Sequence, residues 1–167
     1  HKGWRFIVLD GNDLSTYAYP KNDPRAKAAT AFHRRLKAGT PTWNGGVGGK
    51  QLAWLKGRLA VAAKANEKVI LFCHFPVHPE NIHNLWNYEA VTSLLAEYPC
   101  VAAYLNGHNH AGNYGEKSGI HYLTIKGMVD TLKNSYGVVE VYEDRLVLKG
   151  FGRQEDREMK LPAPAKA

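Results

Sequence analysis

The sequence predicts an α/β fold in which parallel strands with helices are followed by an antiparallel meander. Over residues 4–105, short apolar runs alternate with helical segments, which is the strand–helix–strand pattern of a largely parallel sheet. Beyond residue 118 the pattern changes to short alternating runs separated by turns, which is typical of antiparallel strands.

Each element has its own local signal. Compact apolar runs predict the three parallel strands: 4–9, 69–73 and 100–105. Apolar periodicity, or a cap followed by proline as at Asp23-Pro24, predicts three helices: 24–37, 50–65 and 86–98. Alternating runs predict the meander strands: 119–125, 136–142 and 145–150. Glu143-Asp144 supplies the hairpin turn between the last two.

The segment between the first two helices, residues 39–49, is rich in glycine and is predicted to be a loop. Such a run either provides flexibility or allows backbone N–H groups to approach a ligand closely. Both interpretations remain open at the level of sequence.

Length and composition predict one domain, or part of one, with enough apolar mass for a core. The chain has 167 residues, of which 44% are hydrophobic, and no apolar run approaches the roughly 20 residues needed to cross a bilayer. We therefore expect no membrane partner. The N-terminus has no initiator methionine and no signal-peptide layout, and it leads almost at once into a strand, so we expect the chain to begin inside a domain.

The chain is basic, with a formal net charge of +7. Its basic residues are dispersed, and the one cluster, Arg34, Arg35 and Lys37, is interpreted as a solvated helix face rather than a nucleic-acid patch. We therefore expect no nucleic-acid partner, whereas a small anionic substrate suits the charge. Cys73 and Cys100 lie in or beside predicted buried strands, which indicates reduced core thiols and a cytoplasmic location.

Three of the eight histidines follow the ends of predicted parallel strands. His74 comes directly after the strand at 69–73, and His108 and His110 follow the strand at 100–105. Ligands of open α/β sheets bind at these carboxyl ends, and imidazole is a common ligand for zinc, manganese and iron. His74, His108 and His110 are therefore the candidate metal ligands.

The remaining histidines have weaker signals. His78 is a candidate substrate-binding residue, although it can equally anchor its own proline-rich loop. Asn109 is a second candidate for substrate binding, and turn formation is its alternative role, as it is for Asn106. Surface or packing roles are predicted for the others: His1, His33, His83 and His121.

The three candidate ligands fit two kinds of centre. They can hold one Zn²⁺ with an open position for water, or form half of a two-metal site that attacks phosphorus. A two-metal site also needs carboxylates. Asp10 and Asp13 are the only aspartates that follow a strand toward the same edge, and neither is a convincing candidate.

The two histidine-bearing stretches resemble sequence blocks of the calcineurin-like metallophosphoesterases. That superfamily carries the blocks D-x-H, G-D-x-x-D, G-N-H-[DE], a lone histidine after a strand, and G-H-x-H. This chain matches the last two, as Phe72-Cys73-His74-Phe75-Pro76 and Gly107-His108-Asn109-His110. The first three blocks are absent, and Asp10-Gly11-Asn12-Asp13 echoes the third without its histidine.

Within the superfamily the chain is similar to the manganese-dependent ADP-ribose/CDP-alcohol diphosphatases. An ordered set of stretches between Asp10 and Arg157 carries the likeness: Asn44-Gly45-Gly46, Gln51-Leu52-Ala53-Trp54-Leu55, His74-Phe75-Pro76-Val77-His78-Pro79, Leu85-Trp86-Asn87-Tyr88-Glu89, and Tyr142-Glu143-Asp144-Arg145-Leu146-Val147-Leu148-Lys149-Gly150. G-H-x-H alone is weak support, but the order of the whole set makes the resemblance specific.

The resemblance implies the C-terminal half of a metallophosphoesterase αββα sandwich, occupying residues 1–157, with a tail at 158–167. His74 and His108 would bind one divalent ion and His110 another, the metals being manganese, iron or zinc, with manganese favoured. The absent blocks supply the bridging aspartate, an asparagine ligand and the catalytic histidine in that family. No catalytic residue is therefore assigned on this chain, and the N-terminal half is expected as its partner.

Three functions follow as hypotheses. The first is a phosphoesterase that hydrolyses a small nucleotide-diphosphate substrate of the ADP-ribose or CDP-alcohol class by metal-activated hydroxide attack, and that needs the missing half. The second is a non-catalytic scaffold or binding protein with the same fold, since a truncated site should bind metal weakly. A mononuclear hydrolase built on the three histidines is the third and least favoured hypothesis.

Overall fold

The structure is a computed structural model and describes residues 1–162. It contains three helices, α1 (Pro24–His33), α2 (Gly49–Lys64) and α3 (Tyr88–Ala96). The eight strands are β1 (Trp4–Val8), β2 (Lys68–Phe72), β3 (Val101–Asn106), β4 (Asn113–Lys117), β5 (Ile120–Thr124), β6 (Ser135–Val141), β7 (Arg145–Gly152) and β8 (Arg157–Lys160). The predicted α/β class is confirmed.

The first sheet has five strands in the order β1-β2-β3-β5-β4. β1, β2, β3 and β5 run parallel, and β4 pairs antiparallel with β5. The second sheet is an antiparallel set in the order β6-β7-β8. The carboxyl ends of β2 and β3 therefore meet at one edge of the first sheet, which is where the candidate ligands follow.

One predicted element lies in a different sheet from the one expected. The run at 119–125 was predicted to open the meander, but β5 pairs in parallel with β3 and extends the first sheet. Its five residues are all buried, from Ile120 to Thr124. A short apolar run does not indicate with which strand it pairs. The polar sequence of β4 does not predict a strand, yet β4 forms a hairpin with β5, and β5 lies between β4 and β3.

The two faces of the first sheet pack against different layers. Val69 and Leu71 of β2 lie in the core with Leu55 and Leu59 of α2, on the helical side. Ile70, between them in sequence, points to the opposite face and packs in the cluster that contains the second sheet. The members from the second sheet are fully buried: Leu146, Leu148 and Met159. Residues 1–162 thus form the helix, sheet and sheet layers of the predicted sandwich.

The predicted boundary at residue 157 falls at the start of a strand. β8 pairs with β7, and Met159 has no exposed surface, so residues 157–160 belong to the second sheet rather than to a tail. The segment 157–160 has a single apolar residue, Met159, among charged residues, which is too short a pattern to predict a strand. The remainder of the predicted tail, residues 163–167, lies outside the described part of the chain.

The helix predicted at 24–37 ends earlier, at His33. Its only buried residues are Ala26 and Ala29, so little packing extends it further. The His33 imidazole bonds the carbonyl of Thr40 at 2.9 Å, where the chain turns back.

Neither Cys73 nor Cys100 forms a disulfide, as expected for core thiols. Among the described helices, none combines the length and the apolar character needed to cross a membrane.

A buried hydroxyl connects this core to the loop after β2. Tyr104 on β3 has no exposed surface, and its hydroxyl donates to the carbonyl oxygen of Phe75 at 3.0 Å. Phe75 is also fully buried and directly follows His74. This contact fixes the backbone immediately after a candidate ligand.

We expect Tyr104→Phe to lower the free energy of unfolding by about 1–3 kcal/mol, because it leaves a buried carbonyl without its donor. Tyr142→Phe is the matched control, since its hydroxyl bonds Glu140 at the surface. Chemical denaturation of both variants measures the difference. Equal stabilities for the two variants would contradict a structural role for the Tyr104 hydroxyl.

Candidate metal centre

The parallel pairing of β2 with β3 brings His74 and His108 together. Phe72 is in register with Leu105, so both strands end at the same height. The pairing continues one step beyond the strands, where the Gly107 amide donates to the His74 carbonyl at 3.1 Å. The side chains that follow therefore meet at one edge of the sheet.

The two imidazoles approach to ligand-pair distance. His74 Nε2 lies 3.0 Å from His108 Nδ1. Nitrogens that share one metal ion through bonds of about 2.1 Å lie roughly 3.0–3.4 Å apart. The pair is therefore preformed at a spacing that suits one divalent ion. When no cation is bound, a single proton forms a hydrogen bond between the same two nitrogens.

His108 has an unusual backbone conformation. Its φ is +66°, in the left-handed region that non-glycine residues rarely occupy. Such strain is of order 1–3 kcal/mol, and it persists only where the surroundings hold the residue in place. The ring is held by Phe75 and Trp43, with centroid distances of 4.5 and 5.3 Å. The conformation directs the side chain back toward His74.

Asn44 fixes the tautomer of His108. The His108 Nε2 lies 3.0 Å from Asn44 Oδ1, and Asn44 Nδ2 donates to the Ile82 carbonyl at 2.8 Å. This second bond identifies Oδ1 as the acceptor, so His108 carries its proton on Nε2. The Nδ1 lone pair then faces His74. Asn44 is 1% exposed, which makes this support rigid.

The electrostatics keep both imidazoles neutral near pH 7. Burial, together with smaller contributions from the neighbouring His74, His83 and His110, lowers the pKa of His108 to about 4. Burial also lowers the pKa of His74, with a smaller contribution from His110. Neutral imidazole is the form that binds metal. A metal ion between the rings would displace the proton that bridges them, and His74 would then carry its proton on Nδ1.

His110 lies two residues beyond His108, at an exposed position. Its side chain is 49% exposed, and its Nδ1 lies 2.8 Å from Asp130 Oδ1. Its presence contributes to the lowered pKa of both His74 and His108. A carboxylate bound to one ring nitrogen is a common outer partner of a metal-ligating histidine.

The structure does not bring His78 to this cluster. Its described ring contact is with Tyr122, at a centroid distance of 5.0 Å, and it lies against Gly115. These contacts favour its alternative role as an anchor of the proline-rich loop. Asn109 forms a turn, since its Oδ1 accepts from Ala111 and its carbonyl accepts from Gly112.

The two aspartates at the neighbouring strand end have other partners. Asp13 Oδ2 accepts from the Gly48 amide at 2.8 Å and from Gln51 at 3.1 Å, next to the start of α2. Asp10 Oδ1 accepts from the Asn12 amide in its own turn. Within residues 1–162, no three side chains of histidine, cysteine, aspartate or glutamate converge to hold a metal ion. The described part of the centre is thus a pair with a nearby third member.

Sequence reasoning missed two aromatic residues beside the pair. Trp43 is 44% exposed, and its ring centroid lies 5.2 Å from that of His83. The His83 ring is also 5.7 Å from that of His108, although His83 was predicted to be a surface or packing residue. Trp43 directly precedes Asn44-Gly45-Gly46, so the glycine-rich loop was the only sequence signal for this contact.

Comparisons with known proteins agree with this picture. No family model matches the chain. The chain is 37% identical over 173 residues to the manganese-dependent ADP-ribose/CDP-alcohol diphosphatase of Xenopus laevis, and the match covers 92% of this chain and 49% of that protein. The chain spans about half the length of the curated relatives it matches.

Solved structures give the same fold. A dimetal phosphatase from Danio rerio superposes with a TM-score of 0.89 at 29% identity, covering 96% of this chain and 58% of that one. GAP50, the anchor in the inner membrane complex of Plasmodium, superposes with a TM-score of 0.60 at 17% identity, covering 96% and 50%. The second likeness shows the fold alone.

The resemblance predicted from the histidine blocks and their ordered neighbours is therefore confirmed. It extends over nine-tenths of the chain, in sequence and in structure. The chain is a homologue of the manganese-dependent ADP-ribose/CDP-alcohol diphosphatases, matched over about half of their length.

Proposed function

We propose that the protein is a metal-dependent phosphoesterase that hydrolyses a nucleotide-diphosphate substrate of the ADP-ribose or CDP-alcohol class. The observation that carries this is the His74–His108 pair, with its nitrogens 3.0 Å apart at a sheet edge. The relatives are named as manganese-dependent diphosphatases. The proposed cofactors are accordingly two divalent ions, with manganese favoured.

When bound, two divalent ions activate a water nucleophile and neutralise the charge that develops on the phosphoryl oxygens. His74 Nε2 and His108 Nδ1 would hold one ion, and His110 would hold the other. Asn44 holds His108 in the tautomer that leaves Nδ1 free. Phe75, fully buried beneath both rings, keeps water from the inner side of the pair.

Trp43 and His83 support a nucleotide as the substrate. Both rings lie beside His108, and the exposed part of Trp43 can stack on a nucleobase. Asn44 also lines a neighbouring groove of about 900 Å³, which is large enough for the remainder of a small nucleotide. His78 and Asn109 remain proposed substrate contacts, although His78 packs against Tyr122 and Gly115 and the described bonds of Asn109 are within its own turn.

We infer that further protein completes the centre. The three candidate histidines supply no carboxylate to bridge two cations, and the relatives are about twice as long as the matched region. β1 is an edge strand whose Phe6 and Val8 are 49% and 72% exposed. An apolar cavity of about 360 Å³ between the sheets, lined by Val8, Phe72 and Val139, opens beside it. This edge is the proposed junction with the partner half.

We expect the intact protein to hydrolyse ADP-ribose and CDP-choline with Mn²⁺ and to lose that activity with EDTA. His108→Ala should lower kcat/KM by at least about 100-fold, because it removes a metal ligand. His33→Gln is the control, since His33 contacts Trp86 and not the candidate pair. Alkaline phosphatase, added to release phosphate from the two phosphomonoester products, lets a phosphate assay measure both variants, and absence of turnover by the wild type would refute the proposal.

Trp43→Ala should raise KM for nucleotide substrates by about tenfold, since stacking on a base contributes about 1–3 kcal/mol. Trp43→Phe should retain most of the affinity. Trp54→Ala is the matched control because Trp54 is 47% exposed on α2. If Trp43→Ala leaves KM unchanged, the nucleobase does not bind at this aromatic pair.

Metal content separates the enzyme from its alternatives. The scaffold hypothesis is favoured by one observation, namely that no three potential ligands converge within residues 1–162. We expect two metal ions per intact protein by elemental analysis after reconstitution with Mn²⁺. A metal-free protein would favour the scaffold, and a single tightly bound Zn²⁺ would favour a mononuclear hydrolase.

A further inference from the structure

His110 needs an external support, because its ring lies at the surface. His74 and His108 contact each other and Phe75, whereas the side chain of His110 is half exposed. An exposed imidazole rotates freely about two torsions and divides its proton between two nitrogens. A ligand with that freedom loses conformational entropy when it binds a metal. The β5–β6 loop (residues 125–134) removes this freedom.

The first contact is the bond between His110 and Asp130. Asp130 Oδ1 lies 2.8 Å from His110 Nδ1. An ionised carboxylate only accepts hydrogen bonds, so the proton of neutral His110 resides on Nδ1. In the neutral ring the lone pair of Nε2 is then free.

The second contact fixes the ring against the loop backbone. The Gly127 amide donates to the His110 carbonyl at 3.0 Å. The ring lies directly on Gly127, because a Cβ there would come within 2.5 Å of His110 Cγ. Only glycine permits this approach. The backbone and the ring of His110 are therefore both held by the same loop.

Arg153 ties this loop in place. Its guanidinium donates to the carbonyl of Gly127 through Nη2 and to that of Lys133 through Nε, at 3.3 Å for the second. Nη2 also lies 3.7 Å from Asp130 Oδ2. The two carboxylate oxygens thus face different partners, the imidazole on one side and the guanidinium on the other.

We propose that Asp130 is a positioning residue that holds His110 with Nε2 free and oriented for a divalent cation. In this proposal Asp130 acts through His110, because its Oδ1 faces the imidazole and its Oδ2 faces the guanidinium of Arg153. The role rests on the proposed function only in assigning a metal to His110. Tautomer and orientation are properties of the chain itself.

The test combines a readout without metal and one with Mn²⁺. In ¹⁵N NMR of the metal-free intact protein, we expect His110 protonated on Nδ1 in the wild type and mainly on Nε2 in Asp130→Ala. By calorimetry, Asp130→Ala should bind one of its Mn²⁺ ions about 10–100-fold more weakly. Asp130→Asn keeps an acceptor, so it should retain the tautomer and lose less affinity.

Asp144→Ala is the matched control, because Asp144 is an exposed aspartate paired with Arg145 at the distant β6–β7 turn. It should match the wild type in both readouts. Wild-type His110 protonated on Nε2, or an Asp130→Ala protein with unchanged tautomer and Mn²⁺ affinity, would overturn the proposal. A wild type that binds no Mn²⁺ would refute the proposed function instead, and the NMR comparison would still decide the role of Asp130.

Discussion

The backbone hydrogen bond from Gly107 to His74 is the contact on which the candidate centre depends. It is the last step of the β2–β3 pairing, and it occurs after both strands have ended. Because parallel strands end at the same edge, the residues that follow them are neighbours although they are 34 positions apart. A shift of one residue in this register would direct His74 and His108 to opposite faces.

The centre also shows how a buried core supports a strained edge. Tyr104 and Phe75 are fully buried and form a rigid floor beneath the imidazoles. His108 holds its left-handed backbone conformation because Phe75, Trp43 and Asn44 surround its ring. The same partial burial disfavours the imidazolium form, which lowers the pKa of the ring. Packing thus sets the geometry and the charge state together.

Loops distant in sequence provide the outer contacts of the two G-H-x-H histidines. Asn44, from the glycine-rich loop, holds His108, and Asp130, from the β5–β6 loop, holds His110. The glycines near Asn44 also serve packing, since a Cβ on Gly45 would overlap the carbonyl oxygen of Gly11. Neither flexibility nor direct ligand contact, the two roles considered for this loop, accounts for Gly45. Close packing of the Gly45 backbone against the Gly11 backbone accounts for this glycine, and it keeps Asn44 buried.

The sequence by itself determined the parallel strands β1, β2 and β3, the helices α2 and α3 and the three candidate ligands. Apolar runs and helical periodicity are local signals, and the histidines directly follow the ends of the runs. The tertiary structure alone decided that β5 joins the first sheet, that His78 lies apart from the pair, and that Trp43, His83 and Asp130 lie beside the ligands. These facts depend on contacts between segments far apart in the chain, for which short stretches of sequence carry no signal.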